Sequence, residues 1–399
     1  MSLGISQKCL QIAPSATFAM DAKAKALSAS GVKVIGFAAG EPDFDTPVAI
    51  RDAMKDALDQ GQTRYSPVVG TIELRKAIAE RLKCDYGLTY AMNEIIVSNG
   101  AKHSLYTIFQ SILDDGDQVI TPAPCWVSYP EMVQMAGGVP VFVDASEEEG
   151  FIPPTERIAA AVTERTKAFV LNTPSNPSGS VWTRDGLEAL ARLAIENDFY
   201  IVSDEIYDKL LYEGTSHVSI AALSDEAKKR VLLVNGVSKS YAMTGFRIGY
   251  TAGPRDVIEA MSTYQSQATS GPNTPAQHAA AMALSMPQVS VAEMCQAFES
   301  RRDQVVEGIN AIEGLSCLKP DGAFYVMLNI TSLLGKKYGD IVISNSAVFA
   351  ETLLDIAHVA VVPGNAFMAE GYCRLSYAIS SEQIAEGLRR ITQFVKQLN

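Results

Sequence analysis

Short β-branched runs alternate along this chain with helical patterns that are apolar on one face, and that alternation restricts the possible folds more than any other feature. The runs fall at Glu94–Ser98, Gln118–Thr121, Val139–Val143, Lys167–Leu171, Tyr200–Ser203, Val231–Val234 and Ile248–Thr251. Between them, Ala101–Leu113 sets Leu105, Ile108, Phe109 and Ile112 at helical spacing, and Arg184–Asn197 does so with Leu187, Leu190, Ala191 and Ala194. Continuous apolar strands separated by such helices predict a sheet covered on both faces. The expected class is α/β, with a mostly parallel seven-stranded sheet sandwiched by helices in a large domain over 48–290. From Val291 the character changes. A long helical pattern runs through Arg301 and Asn310, strand-like runs follow at Gly322–Asn329, Val359–Val362 and Arg374–Ile379, and Ser381–Leu398 reads as a final helix. A smaller α+β domain is expected from 291–399 together with an N-terminal arm, 1–47, closed by the turn-rich Gly40–Pro47.

Charge narrows the function. The 33 Lys and Arg against 45 Asp and Glu leave a net charge of -12, which gives no electrostatic footprint for nucleic acid and little attraction to an anionic membrane. No stretch reaches the ~18 apolar residues of a membrane span, and no basic segment followed by an apolar run marks a secretory signal. Cys9, Cys84, Cys125, Cys295, Cys317 and Cys373 are scattered, with no C-x-x-C and no metal-ligand spacing to His. They read as free thiols in a reducing cytoplasm, with no metal site.

Ligands of such sheets bind beyond the carboxyl ends of the strands, and there the sequence places Asn99-Gly100, Asn172-Thr173-Pro174, Asp204-Glu205 and Ser238-Lys239. A lysine in a strand-end loop can be partly desolvated, which lowers its pKa and makes it a Schiff-base nucleophile. Arg247, eight residues on, can reach back to a phosphate with its planar fork. Asp204 ends a strong apolar strand, where a carboxylate is costly without a partner; taken alone it could equally be a helix cap. Asn172-Thr173-Pro174-Ser175-Asn176-Pro177 is a rigid turn cluster or part of a rim.

Together these segments resemble the aspartate aminotransferase family, fold type I of the pyridoxal-phosphate enzymes, in its bacterial branch typified by the Thermus and Rhizobium enzymes. The likeness spans nearly the whole chain. It is carried by Ala39-Gly40-Glu41-Pro42-Asp43-Phe44-Asp45-Thr46-Pro47, Tyr65-Ser66-Pro67, Trp126-Val127-Ser128-Tyr129-Pro130, Asp204-Glu205-Ile206-Tyr207, Ser238-Lys239, Gly245-Phe246-Arg247-Ile248-Gly249 and Arg374-Leu375-Ser376-Tyr377. It implies that Lys239 holds pyridoxal 5'-phosphate and shuttles the proton at the substrate α-carbon. Asp204 would pair with the ring nitrogen, Tyr207 and Asn176 with the ring oxygen, and Trp126 would stack on the ring. The phosphate would sit at the helix start formed by Gly100, Ala101 and Lys102, helped by Ser238 and Arg247. Tyr65 would reach it from the other subunit of a homodimer. Arg374 would grip the substrate α-carboxylate, with the Gly40 N–H and Asn176 beside it.

The resemblance also bears on substrate. No arginine for a distal carboxylate stands near Ser266, between Tyr264 and Thr274. Lys102, Ser15 and Thr17 match the positions that serve an acidic side chain in the bacterial branch, which favours aspartate with a 2-oxo acid such as 2-oxoglutarate. Relatives that take prephenate carry a basic residue before Pro-Ser-Ala-Thr; Ala13 stands here. Aromatic, prephenate, kynurenine or glutamine preference remains an alternative, and so does a lyase on the same scaffold. An effector-sensing module would need a DNA-binding domain, for which the stretch ahead of Gly40 is expected to be too short. A dinucleotide-binding protein would need a G-x-G-x-x-G after an early strand, and none is present.

Overall fold

In the computed structural model, which describes residues 4–399, seven strands form the main sheet. They are β1 (Ile95–Ser98), β2 (Gln118–Ala123), β3 (Val139–Asp144), β4 (Thr166–Asn172), β5 (Tyr200–Asp204), β6 (Val231–Gly236) and β7 (Gly249–Ala252), in the spatial order β1-β7-β6-β5-β4-β2-β3. β7 pairs antiparallel with both β1 and β6, while the pairings among β3, β2, β4, β5 and β6 are parallel. The reversal has a positional effect: β7 begins at the rim where the parallel strands end, so Arg247 just ahead of it faces the same rim as Lys239.

Helix packing follows the apolar spacing. Ala101–Ile112 buries Leu105, Ile108, Phe109 and Ile112, and Arg184–Asn197 buries Leu187, Leu190, Ala191 and Ala194. Each such large aliphatic or aromatic group removed from water stabilises by roughly 1.5–3 kcal/mol. One core, in which Leu105 joins Ile96, Val119 and Met261, covers one side of the sheet, and a second, with Ile78, Ile120 and Leu187, covers the other.

The C-terminal part has its own core. A three-stranded antiparallel sheet in the order Val362–Pro363, Tyr372–Ser376, Tyr325–Asn329 packs with the helices Val289–Asn310 and Ser381–Val395. Its strands are shorter than the apolar runs suggested, since Gly322–Phe324 and Tyr377–Ile379 lie outside the ladder as connecting backbone. The N-terminal arm joins this part through a parallel pair, Ile35–Gly36 on Val359–Ala360. Met20 and Ala24 of the helix Ala16–Ala29 enter the same core, as do Ile206, Tyr207 and Leu210 from just beyond β5. All six cysteines are free. Among the described residues no helix is long and apolar enough to cross a membrane.

Candidate active site

A cavity of about 500 Å³ opens at the carboxyl ends of the sheet strands, within the usual size of a small-molecule site. Its wall brings together Ser15, Thr17, Gly40, Ala101, Lys102, Trp126, Asn176, Asp204, Tyr207, Ser238, Lys239, Arg247 and Arg374. Of the residues singled out in the sequence, two stand apart. Gly100 lies behind the wall as the cap of the helix Ala101–Ile112, and Tyr65 is 97% exposed, away from the cavity of its own chain.

The helix start is shaped by two glycines. Gly100 caps the helix with φ +84° and offers no side-chain cap, which leaves first-turn N–H groups for an anion. A Cβ on Gly100 would lie 2.5 Å from Arg247 Nη2, and one on Gly249 would lie 2.3 Å from the Ala101 backbone N. Glycine at both positions therefore lets β7 and the Arg247 guanidinium approach the helix end. Arg247 is anchored by donating from Nη1 to the Thr244 carbonyl at 2.9 Å.

Lys239 lies in the loop after β6. Its Nζ donates to the Gly40 carbonyl and stands 5.8 Å from the Phe324 ring centroid. Burial lowers its pKa to about 8, with Arg374 and Arg247 acting in the same direction. Asp204 ends β5 with 4% exposure. Burial raises its carboxyl to about 6 even though it accepts from Tyr129 Oη at 2.7 Å and from the Ile206 N–H at 3.3 Å. Among the described residues no cation contacts this carboxylate. Tyr207 faces the same space, its hydroxyl 2.9 Å from that of Tyr325.

Arg374 rises from the middle strand of the three-stranded sheet and is 1% exposed. Nη1 donates to Asn176 Oδ1 and Nη2 to the Ala38 carbonyl, both at 2.9 Å. Its guanidinium stacks on Tyr325 at 4.4 Å and Phe367 at 5.0 Å, and among the described residues Nε has no partner. One cation thus ties the arm, the rim of the large sheet and the C-terminal sheet together. At the outer wall, Lys102 Nζ sits 4.7 Å from the Trp126 ring and 5.7 Å from that of Phe18, and among the described residues it makes no ion pair. Partial desolvation, then Arg247, lowers its pKa. Thr17 Oγ1 is buried, with no hydrogen-bond partner among the described residues.

Tyr129 and Tyr325 are among the wall residues to which sequence reading gave no site role. Tyr129 stood inside the Trp126–Pro130 motif with no role of its own. Tyr325 lay in a plain apolar strand; its hydroxyl lies 3.0 Å from where a Cβ on Gly40 would stand, a contact between opposite ends of the chain that no local pattern carries.

Comparisons with known proteins agree with this geometry. The family model described as aminotransferase class I and II matches residues 32–391. An aspartate aminotransferase of Bacillus sp. (strain YM-2) is 48% identical, covering 98% of this chain and 99% of the relative. An aspartate/prephenate aminotransferase of Thermus thermophilus is 47% identical, over 98% of each chain. The crystal structure of the aspartate aminotransferase from Rhizobium meliloti superimposes with a TM-score of 0.96 at 41% identity, covering all of both chains. That of the Thermus thermophilus enzyme with maleate does so with 0.93 at 47%, over 98% of this chain and 99% of that one. With its sheet, its half-buried lysine and its rim arginine in one cavity, this chain belongs to the class I and II aminotransferases.

Proposed function

We propose that the protein is a pyridoxal-phosphate-dependent aspartate aminotransferase, moving the amino group of aspartate to a 2-oxo acid such as 2-oxoglutarate. The observation that carries the reading is the pairing, in one cavity, of a half-buried Lys239 with a lowered pKa and a buried Asp204 that no cation among the described residues contacts. The wall fits the cofactor. The glycine cradle at Gly100 and Gly249 leaves space and free N–H groups for a phosphate, and the Asp204 carboxylate suits a protonated ring nitrogen. When bound, pyridoxal phosphate supplies a carbonyl that takes up the amino group and a ring that accepts electron density.

The chain's own residues do the rest. Lys239 holds the cofactor, then takes the proton from the substrate α-carbon; its pKa near 8 suits it to exchange a proton near neutrality. Asp204 keeps the ring nitrogen protonated. Tyr207 and Asn176 donate to the ring oxygen, and Trp126 covers a ring face. Gly100, Ala101, Lys102, Ser238 and Arg247 hold the phosphate, with Tyr65 supplied by the partner of a homodimer. Arg374 binds the α-carboxylate through Nε, which has no partner among the described residues, and a second Nη N–H, beside Gly40 and Asn176. Lys102, Ser15 and Thr17 receive the distal carboxylate. The unpaired Lys102 cation supports this, as does maleate, a dicarboxylate, in the Thermus relative. The separate cores support the division at 48–290 against 1–47 with 291–399, and the free thiols support a cytoplasmic setting.

The test is single-turnover absorbance of the cofactor-loaded protein against a panel of L-amino acids. Aspartate and glutamate should bleach the near-visible band fastest, and Lys102→Ala should slow both by about 10- to 100-fold, as loss of one charge-assisted contact of about 1.4–3 kcal/mol requires. Phenylalanine should be nearly unaffected. Faster bleaching by an aromatic or neutral amino acid would overturn the aspartate assignment.

A further inference from the structure

Behind the cavity wall lies a second buried ionic cluster that the proposed chemistry leaves unused. In Asp204-Glu205-Ile206-Tyr207-Asp208, Asp204 and Tyr207 line the cavity, while Glu205 and Asp208 point elsewhere. All three acids are buried, with 4%, 0% and 6% exposure in chain order. Glu205 Oε2 meets His217 Nε2 at 2.7 Å. Its Oε1 accepts from Ser203 Oγ at 2.8 Å and Ser219 Oγ at 2.9 Å. His217 also stacks edge-on against Tyr86 at 5.3 Å, and the Tyr86 hydroxyl donates to Asp208 Oδ2.

The surroundings are otherwise short of cations. The groups facing the pair are Asp204, Asp208 and Lys209 from the β5 end, Asp85 and Tyr86 from the helix Ile72–Tyr86, Tyr90 beyond it, and Tyr250 from β7. Lys209 is engaged with Asp85 at 2.6 Å. Among the described residues, His217 is therefore the one cation in contact with Glu205. Burial opposes its protonation, but the charge of Glu205, the bond to it and Asp208 outweigh burial and raise its pKa. Glu205 in turn pushes Asp204 toward its neutral form.

We propose that the Glu205–His217 pair is a positioning device for Asp204: it balances the adjoining buried carboxylate and ties the end of β5 from behind, so that Asp204 stays ionised toward the cofactor ring. The inference rests on the pyridoxal-phosphate reading of the cavity. A bare carboxylate next to Asp204 would favour a proton on Asp204 and weaken its hold on the ring nitrogen. With Asp204 already raised to about 6, a further rise changes its charge only near that pH, so losing His217 should do harm in mild acid that fades toward alkali.

The experiment measures pyridoxal-phosphate release from the full-length holoprotein by the decay of near-visible absorbance, at about pH 6 and about pH 9. Wild type must first acquire the band; if it does not, the cofactor reading fails and the pair is not at issue. His217→Gln should release cofactor about five- to tenfold faster than wild type at the acid pH and within about twofold of it at the alkaline pH, as a shift of about one unit in Asp204 requires. Glu205→Gln with His217→Gln removes both charges and should show no such pH dependence. Should His217→Gln not fold by circular dichroism, Glu205→Gln alone decides: the acid limb of release should move to lower pH. A uniform rise in release at both pH values, no change at either, or an unmoved acid limb in Glu205→Gln would overturn the proposal.

Discussion

Lys239 and Asp204 carry opposite charges into the same dry wall, and burial disfavours both. Asp204, raised from 3.8 to about 6, contributes stability that is full below about 3.8 and lost as pH rises through 6. Lys239, lowered from 10.5 to about 8, contributes stability that is full above about 10.5 and lost as pH falls through 8. Between these values both groups are ionised, at a cost on the order of 3 kcal/mol each with their mutual attraction included. The cofactor-free Lys239→Met protein should therefore melt higher than cofactor-free wild type at about pH 7, with the gap closing above about pH 10; a lower melting point at neutrality in scanning fluorimetry would refute this. The same substitution should slow transamination by about 10⁴-fold or more, since nucleophile and proton shuttle are lost together. At this scale the sequence was informative where chemistry leaves a mark. Lys239, Asp204, Arg247 and Arg374 stand in distinctive runs, whereas Tyr129 and Tyr325 are ordinary buried aromatics until the fold aims their hydroxyls.

The seven strands and two principal helices were legible because burial on both faces writes itself as continuous apolar runs, and one-sided burial as helical spacing. Less legible were elements held by distant partners. The two-residue strand Ile35–Gly36 exists because Val359–Ala360 lies beside it, and no run of two residues announces that. Nor could the reversal of β7 be read from its composition. That reversal makes a sharp prediction. Gly249→Ala sets a Cβ 2.3 Å from the Ala101 N and 2.5 Å from the Gly100 carbonyl carbon, both backbone, so β7 or the helix start must shift. Destabilisation of about 2–4 kcal/mol is expected, with cofactor affinity falling at least tenfold. Unchanged denaturation and unchanged cofactor titration would show that the close approach is dispensable.

For the whole molecule, Tyr65 is the telling residue. A tyrosine at 97% exposure, on the turn between the helices Val48–Asp59 and Ile72–Tyr86, makes no side-chain hydrogen bond among the described residues. The proposed homodimer should appear by sedimentation. Tyr65→Phe should leave the dimer intact while loosening cofactor retention by about three- to tenfold, the worth of one hydrogen bond. An effect on assembly but none on cofactor would assign Tyr65 to the interface alone. The resemblance had set Asn176 beside Arg374, and the structure joins them directly across the division; the tie from Arg374 to the Ala38 carbonyl was beyond sequence reading.

The cavity wall divides by ancestry in the chain. Asp204, Ser238 and Lys239 are strand-end residues, fixed from beneath by the sheet, whereas Lys102 is the exposed outer face of a helix start, and Ser15 and Thr17 belong to the N-terminal arm. Appetite and machinery are therefore separately editable. A lineage, or an engineer, can redraw the outer wall to admit new amino acids while the inherited catalyst underneath goes untouched, so diversification in this scaffold should run along the arm and the first helical turn long before it reaches the strands.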